Sequence, residues 1–397
     1  MKIIFITTKM NTSGGSAVEL DVMIRNLIKL GNEISVVTIS SSANFDLNSF
    51  PYPIIEDDIH SHRQLGIQWG VLKLLKKYSK QTDVFYIDGQ VFLYGAGLYR
   101  LLGGQVPIFA YFNRELMSWP ENISEIFSGK SNESILIRTK KKIRWYIERY
   151  ILIRFANYVD YFAFTNPFLN KAYENFGLKT VGRHIIIGDP YDFKEIMKKN
   201  NITEDFYCTH NKKDDVITLF YSSRMVAGKG FDLLLTAFSK IKNKEKFKLV
   251  LGGAGPEEPL IRKMIIDFKL VPYIELPGWV SKEELHKSLK KADIFVQARW
   301  RTDMSSLSLT EAMIFGLPCI VPAGGGIQWV AGKSGLFFRP DNSDDLADKI
   351  EQLGSNYQLR AELSRQCFVR LNEGDVNYEK TIPKINKIMA QLSGANK

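Results

Sequence analysis

Two groups of residues in the second half of the chain have the types and spacing to hold a charged ligand rich in hydroxyls. Arg224 and Lys229 flank the short stretch Met225–Gly228. Two cations on one loop can hold a diphosphate, the guanidinium by paired hydrogen bonds and the ammonium as a compact charge. Alternatively, Lys229 is a solvated turn residue. Further on, Asp303 and Glu311 bracket Ser305, Ser306 and Leu307. Glu311 stands among Leu309, Ala312, Met313 and Phe315. A carboxylate in such company is costly unless it accepts hydrogen bonds, and a ribose diol would donate them. On the opposite helix face it would simply meet water. Asp303 can accept from a sugar hydroxyl or cap a helix opened by Ser305 and Ser306. The glycines of 252–255, Gly253 among them, and Gly324–Gly326 offer either bare N–H groups to a ligand or tight strand–helix turns.

These groups can meet only if they lie along one edge of a sheet. Apolar runs predict strands at Ile217–Ser222, Phe247–Gly252, Tyr273–Leu276, Asp293–Gln297, Pro318–Val321 and Gly335–Arg339. Between them, helical periodicity covers Phe231–Ile241, Pro259–Phe268, Ser281–Lys291 and Asp344–Leu353, with Ser281 and Glu284 as a capping box and Ser343 as a cap. This alternation predicts a doubly wound parallel sheet whose loops after the strand ends face one crevice.

The first half opens in the same way. A strand over Lys2–Thr8 leads through a loop holding Gly14 and Gly15 into a helix over Ala17–Leu30, which Gly31 ends, and a strand follows at Glu33–Ser40. The loop is a ligand cradle or a plain tight turn; it lacks the G-x-G-x-x-G dinucleotide fingerprint. Further strands are predicted at Val84–Asp88, Pro107–Phe112, Tyr158–Phe164 and His184–Ile187. After Pro107–Phe112 come Asn113, Arg114 and Glu115, which are acceptor-side candidates or turn residues. The polar, aperiodic stretch Asn200–Asp215 divides the chain into domains 1–200 and 201–374, with a helix in 375–397 crossing back to the first.

The chain has 397 residues, a net charge of +10 and 45% hydrophobic residues, which fits two soluble globular domains. Cys208, Cys319 and Cys367 are far apart and odd in number, which argues against a disulfide framework and favours a reducing compartment. The five histidines form no i, i+4 metal pair. The N-terminus lacks the apolar core of a signal peptide, and no run of about 18 apolar residues predicts a membrane span. Two basic segments, 64–80 and 135–155, interleave lysines and arginines with aromatic and aliphatic residues. Each could lie on an anionic membrane surface, or be an ordinary helix with solvated lysines.

Taken together, YSSRMVAGKGFDLLLTAF, LGGAGPEEPL, PGWVSKEEL, ADIFVQA, TDMSSLSLTEAMIFGLPCIVPAGGG and SGLFFRP resemble, in order and spacing, the donor half of a GT-B glycosyltransferase, most like glycosyltransferase family 4. The resemblance implies two Rossmann-like domains facing a central cleft, and retaining transfer from a nucleotide diphosphate sugar without a metal ion or other cofactor. It implies catalytic roles for Arg224 and Lys229 at the diphosphate, Asp303 at the donor sugar and Glu311 at the ribose. Gly14, Gly15, Gly253, Ser305, Ser306 and Leu307 complete the implied donor site. Two positions depart from the family pattern. Asp303 is a methylene shorter than the usual glutamate, and the loop Asn113–Glu115 lacks the histidine often found there. The expected reaction moves a sugar to a hydroxyl of a saccharide or lipid-linked saccharide in surface polysaccharide or lipopolysaccharide synthesis. The expected place is the cytoplasm, peripheral to the inner face of its membrane. A nucleotide-sugar epimerase of the same fold is the alternative enzyme. A non-catalytic basic module for lipid or nucleic acid is the other alternative, although no RNA-reading signature is present and nucleic acid is not the expected partner.

Overall fold

A computed structural model of the chain describes residues 1–10, 15–40, 50–59, 61, 64–114, 135–210, 216–298 and 305–394. They form two compact units, one of residues 1–191 and 378–397 and one of 192–377.

The first unit is built on seven parallel strands: β1 (Lys2–Thr7), β2 (Glu33–Thr38), β3 (Ile54–Glu56), β4 (Val84–Asp88), β5 (Ile108–Phe112), β6 (Tyr161–Phe164) and β7 (His184–Ile186). They lie in the order β3-β2-β1-β4-β5-β6-β7. The order reverses between β1 and β4, whose backbones pair from Ile3↔Val84 to Ile6↔Ile87. β1 and β5 read as unbroken apolar runs because helices cover both sheet faces. Those helices are α1 (Gly15–Lys29), α2 (Gln64–Tyr78), α3 (Leu93–Leu101), α4 (Ile135–Ile147), α5 (Ile153–Ala156) and α6 (Pro167–Phe176). Gly31, with φ +83°, takes the left-handed turn after α1. Asn166 caps α6 by accepting from the Leu169 N–H at 2.8 Å.

The basic segment 135–155 is not one continuous helix. Between α4 and α5 the backbone widens into a π turn over Glu148–Leu152. Glu148, the single acid there, turns inward, 1% exposed, and accepts from the Tyr94 hydroxyl at 2.8 Å. The wide turn re-aims one residue toward the core, while Lys140, Lys141, Arg144 and Arg154 around it are exposed.

The second unit begins before the polar stretch at 200–215. It starts with α7 (Phe193–Asn200), which the sequence had placed in the first domain, and α8 (Phe206–His210). Its sheet has six parallel strands: β8 (Ile217–Ser222), β9 (Phe247–Gly252), β10 (Ile274–Gly278), β11 (Ile294–Val296), β12 (Cys319–Pro322) and β13 (Gly335–Phe338). Their order is β10-β9-β8-β11-β12-β13, so this sheet reverses between β8 and β11. Its helices are α9 (Phe231–Lys240), α10 (Glu258–Asp267), α11 (Lys282–Lys291), α12 (Leu307–Ile314), α13 (Gly325–Ala331), α14 (Ser343–Ser355) and α15 (Tyr357–Leu371). α11 carries the capping box, with Ser281 N–H donating to Glu284 at 2.8 Å and Glu284 N–H to the Ser281 hydroxyl at 3.3 Å. The cap of α14 is Asn342, not Ser343: its side chain accepts from the Asp345 N–H at 2.9 Å. Asn and Ser cap about equally well, so the extended backbone of Asn342 decides the position.

The last helix, α16 (Tyr378–Ser393), belongs to the first unit. Ile382, Ile385 and Met389 are buried, and Asn386 accepts from the Asn32 side chain at 2.9 Å. Pro383 sits inside the helix, which runs through it.

Candidate functional site

In the second unit the sheet reverses between β8 and β11, and a reversal of this kind leaves a crevice at the carboxyl ends of the strands. The loop after β8 carries Arg224 and Lys229. It is fastened to the loop after β9: Ser223 N–H donates to Gly252 O at 3.2 Å, Met225 N–H to Ala254 O at 2.9 Å, and Glu257 N–H to Met225 O at 3.0 Å. Gly253 N–H is tied in turn to Gly278 O at 2.7 Å, at the end of β10. Glycine is required in this ladder because a Cβ on Gly255 would come within 2.3 Å of the Met225 carbonyl oxygen. On the far side of the loop, the Tyr221 hydroxyl donates to Lys229 O at 2.8 Å. Arg224 is exposed and enters no ion pair among the described residues, while Lys229 is half-buried. Both cations therefore project from a backbone that three strand ends hold rigid.

Across the reversal, the chain leaves β11 and enters α12. Ser306 is its N-cap position and is 8% exposed; its hydroxyl lies 3.0 Å from that of Ser308. Ser305 and Leu307 are half-buried beside it. Leu309 through Ile314 are all buried. Glu311 is 9% exposed, so the surface position that the sequence left open is excluded. The first-turn amides of α12 face the strand-end edge, where unsatisfied N–H groups favour an anion. The next turn, after β12, is built on Gly324 (φ +97°) and Gly325 (φ +66°), and the Gly324 N–H donates to the Gln328 side chain. Asp303, Gly14 and Glu115 lie outside the described residues. Gly15 is the first residue of α1.

In the first unit, the corresponding strand ends gather polar side chains that the sequence did not single out. Glu19 on α1 accepts from the Asn113 side chain at 3.3 Å, just after β5. Asp88, at the end of β4, accepts from the Thr7 hydroxyl at 2.9 Å, at the end of β1. Burial pushes the Asp88 carboxyl up to about 6, against the lowering pull of Thr7 and Arg114. Burial, followed by the charge of Asp189, holds Glu19 well above the ordinary carboxylate range. The Tyr111 hydroxyl, on β5 opposite Asp88, is buried without a hydrogen-bond partner among the described residues, and burial first, then Asp189 and Glu19, hold its proton in place. Arg114 is exposed, and its carbonyl accepts from the Tyr173 hydroxyl at 2.9 Å. Asn113 is thus joined to a carboxylate that one sequence cannot pair with it: Glu19 and Asp88 are unremarkable until the fold brings β1, β4 and β5 together. Among the described residues no group of three His, Cys, Asp or Glu side chains is placed to hold a metal ion.

Residues 203–367 match the family described as Glycosyl transferases group 1. The alpha-monoglucosyldiacylglycerol synthase of Acholeplasma laidlawii is 25% identical over 198 residues, 48% of this chain and 49% of that protein. The GDP-mannose-dependent alpha-(1-6)-phosphatidylinositol monomannoside mannosyltransferase of Mycobacterium tuberculosis is 30% identical over 145 residues, 34% of this chain and 38% of that protein. The chain thus spans about half or less of the curated relatives it matches. Over the whole chain, the structure of HepE from Anabaena in complex with UDP superposes with a TM-score of 0.71 at 15% identity, covering 100% of both chains. The fold of the two units is the GT-B fold.

Proposed function

We infer, from the membership of the second unit in the glycosyl transferases group 1, that the chain is a glycosyltransferase using a nucleotide diphosphate sugar. The observation that carries this reading is the strand-end edge of the second unit. There the braced Arg224–Lys229 loop and the buried Glu311 flank the same sheet reversal, between β8 and β11.

In this reading Glu311, at the strand-end edge, accepts hydrogen bonds from the nucleotide ribose. Arg224 and Lys229 hold the diphosphate, and the amides that open α12 at Leu307 share it. As the bond from sugar to phosphate breaks, negative charge grows on the leaving diphosphate. Fixed cations and helix-start amides stabilise that charge without reorganising, so they lower the barrier more than they tighten ground-state binding. Transfer proceeds with retention at the sugar carbon and without a metal ion, the positive charge coming from the protein. Asp303 contacts the donor sugar.

The acceptor is a saccharide or lipid-linked saccharide whose hydroxyls meet the polar strand ends of the first unit, with Asn113, Glu19 and Asp88 as hydrogen-bonding groups. The product belongs to surface polysaccharide, lipopolysaccharide or glycolipid synthesis. α4 rests on an anionic membrane surface. Leu136, Ile143, Tyr146 and Ile147 are exposed along it at 41–65%, beside exposed Lys140 and Lys141. That combination anchors a helix at a lipid interface. No helix among the described residues is long and apolar enough to cross a membrane. On α2, by contrast, Leu72, Leu75 and Tyr78 are core residues and Lys77 pairs with Asp57 at 2.7 Å, which leaves a weaker anionic-membrane face. The lipid acceptors in the names of the two relatives above agree with a membrane setting.

The test is a thermal-stability screen with UDP, GDP, dTDP and their sugars, since a ligand that binds only the folded state raises its stability. One nucleotide series should stabilise the protein, and release of the nucleoside diphosphate should depend on added acceptor. Stabilisation by none of them would reject the donor site. Release without any acceptor would point to the epimerase alternative.

A further inference from the structure

Beside the membrane-facing helix, the first unit holds a cavity of about 630 Å³ between the π turn, α5 and the end of α6. Among the described residues three cations line it, Arg149, Arg154 and Lys179, and no acid does. Arg149 is fixed in place. Its guanidinium donates to Asn175 O at 2.7 Å and lies 5.3 Å from the Trp145 ring centre and 5.8 Å from that of Phe176. Arg154 and Lys179 are exposed and enter no ion pair among the described residues. Asn157 sets the loop that carries Lys179: its side chain donates to Gly177 O at 3.2 Å and accepts from the Lys179 N–H at 2.7 Å. The one acid of the neighbouring segment, Glu148, is buried on the core side. At the rim stand Tyr150 and Tyr158, 54% and 50% exposed.

A concave site whose described lining holds three cations and no acid calls for an anion, and arginine is the side chain suited to phosphate oxygens. The cavity is much larger than a phosphate ion. Its aromatic rim has the amphipathic character that places Tyr at a boundary between water and lipid. We propose that this cavity takes the phosphate head group of an anionic glycerophospholipid, with Arg154 and Lys179 gripping the phosphate and Tyr150 and Tyr158 lying at the acyl boundary. The site rests on the reading of α4 as the membrane face. It adds to that reading a specific phosphate contact rather than a general attraction to negative charge.

The experiment compares wild type with the double variant Arg154→Gln/Lys179→Gln by co-sedimentation with vesicles. Three compositions are used: phosphatidylcholine alone, with phosphatidylglycerol, and with oleate adjusted to the same zeta potential. Both positions are exposed, so the variant should keep the wild-type melting temperature. Wild type should prefer phosphatidylglycerol to oleate. The variant should lose that preference, with binding to phosphatidylglycerol weakened about fivefold or more for each cation removed. Measurable but equal binding of the two anionic vesicles by wild type, or an unchanged preference in the variant, overturns the proposal. Dihexanoyl phosphatidylglycerol, kept below its micelle concentration and followed by NMR, separates this site from the membrane face. Binding of this soluble lipid that the double variant abolishes supports the cavity even if no vesicle binding is seen. Binding that the variant leaves intact, or inorganic phosphate that competes as tightly as the lipid, overturns it.

Discussion

Gly253 lies against Ser223 so closely that a Cβ on the glycine would come within 1.9 Å of the serine carbonyl oxygen. Its φ of +124° is one that a side chain rarely tolerates. The contact brings the loops after β8 and β9 side by side, which is what aims Arg224 and Lys229. Gly253→Ala should therefore cost roughly 2–3 kcal/mol through overpacking and strain, lowering the melting temperature of the second unit by about 5–10 °C. Nucleotide binding should weaken with it. Calorimetry with and without nucleotide checks both; a variant with wild-type melting and binding would mean that the two loops can part freely.

Lys229→Ala and Glu311→Ala should each reduce transfer by about a hundredfold or more, the scale of losing one charge-stabilising donor or one buried anchor. Lys229 is half-buried on a loop whose backbone bonds survive the change, so its variant should keep its melting temperature. Glu311→Gln, which preserves shape, should bind nucleotide weakly and remain folded. Full transfer in both Lys229→Ala and Glu311→Ala would remove these residues from the site.

Asp88 predicts an unusual pH response in the first unit. Its carboxyl is raised from 3.8 to about 6 in the fold, so the folded state holds the proton more tightly than the unfolded chain. The contribution of Asp88 to stability is then greatest below about pH 4 and falls as pH rises toward 6. Asp88→Asn should flatten this slope and stabilise the unit at neutral pH by up to about 3 kcal/mol. Hydrogen exchange at the Val84–Asp88 amides, compared at pH 4 and pH 7, reads the difference. An identical slope in the variant would contradict it.

His286 acts in the opposite sense in the second unit. It is 7% exposed, its Nδ1 lies 3.2 Å from the Asn200 side chain, and it packs on Phe315 with ring centres 5.2 Å apart. Burial first, then Lys282, Lys199 and Lys290, lower it from 6.5 to about 4. The unfolded chain therefore binds the proton more readily, and the contribution of His286 is full above about pH 6.5 and lost as pH falls toward 4. His286→Gln should make melting of this unit less sensitive to acid over that interval. A variant with an unchanged acid response would show that other groups set it.

Neutralising Lys140, Lys141 and Lys142 to Gln should weaken co-sedimentation with anionic vesicles by up to about a hundredfold and make what binding remains less sensitive to salt, since basic residues near such a surface contribute about 1 kcal/mol each. Unchanged sedimentation would mean that α4 faces water.

The second unit was the more legible of the two because most of its strands are apolar runs ended by a glycine or polar loop, and its cations and Glu311 stand out locally. α3 and α6 were not read from the sequence. In α3, Gly95 and Gly97 weaken the helical signal, yet a Cβ on Gly97 would come within 1.8 Å of the Phe155 carbonyl oxygen. The glycine is there for a helix crossing that a single sequence does not display. The π turn was hidden for a similar reason. Glu148 reads as one more polar residue on a basic helix until Tyr94, far away in sequence, supplies its hydrogen bond. The polar strand ends of the first unit were illegible because Thr7, Glu19, Asp88 and Asn113 come from four separate segments, and their shared property is a position beside the reversal of the sheet.

α16 belongs to the first unit, yet it follows the whole of residues 192–377 in the chain. A ribosome delivers the second unit entire before it delivers the helix that covers Asn32. At about 5–20 residues per second, the first unit would wait roughly 10–40 s with that flank open. The unit translated first is thus the unit finished last, and the buried faces of Ile382, Ile385 and Met389 mark the surface that a chaperone would meet on the nascent chain.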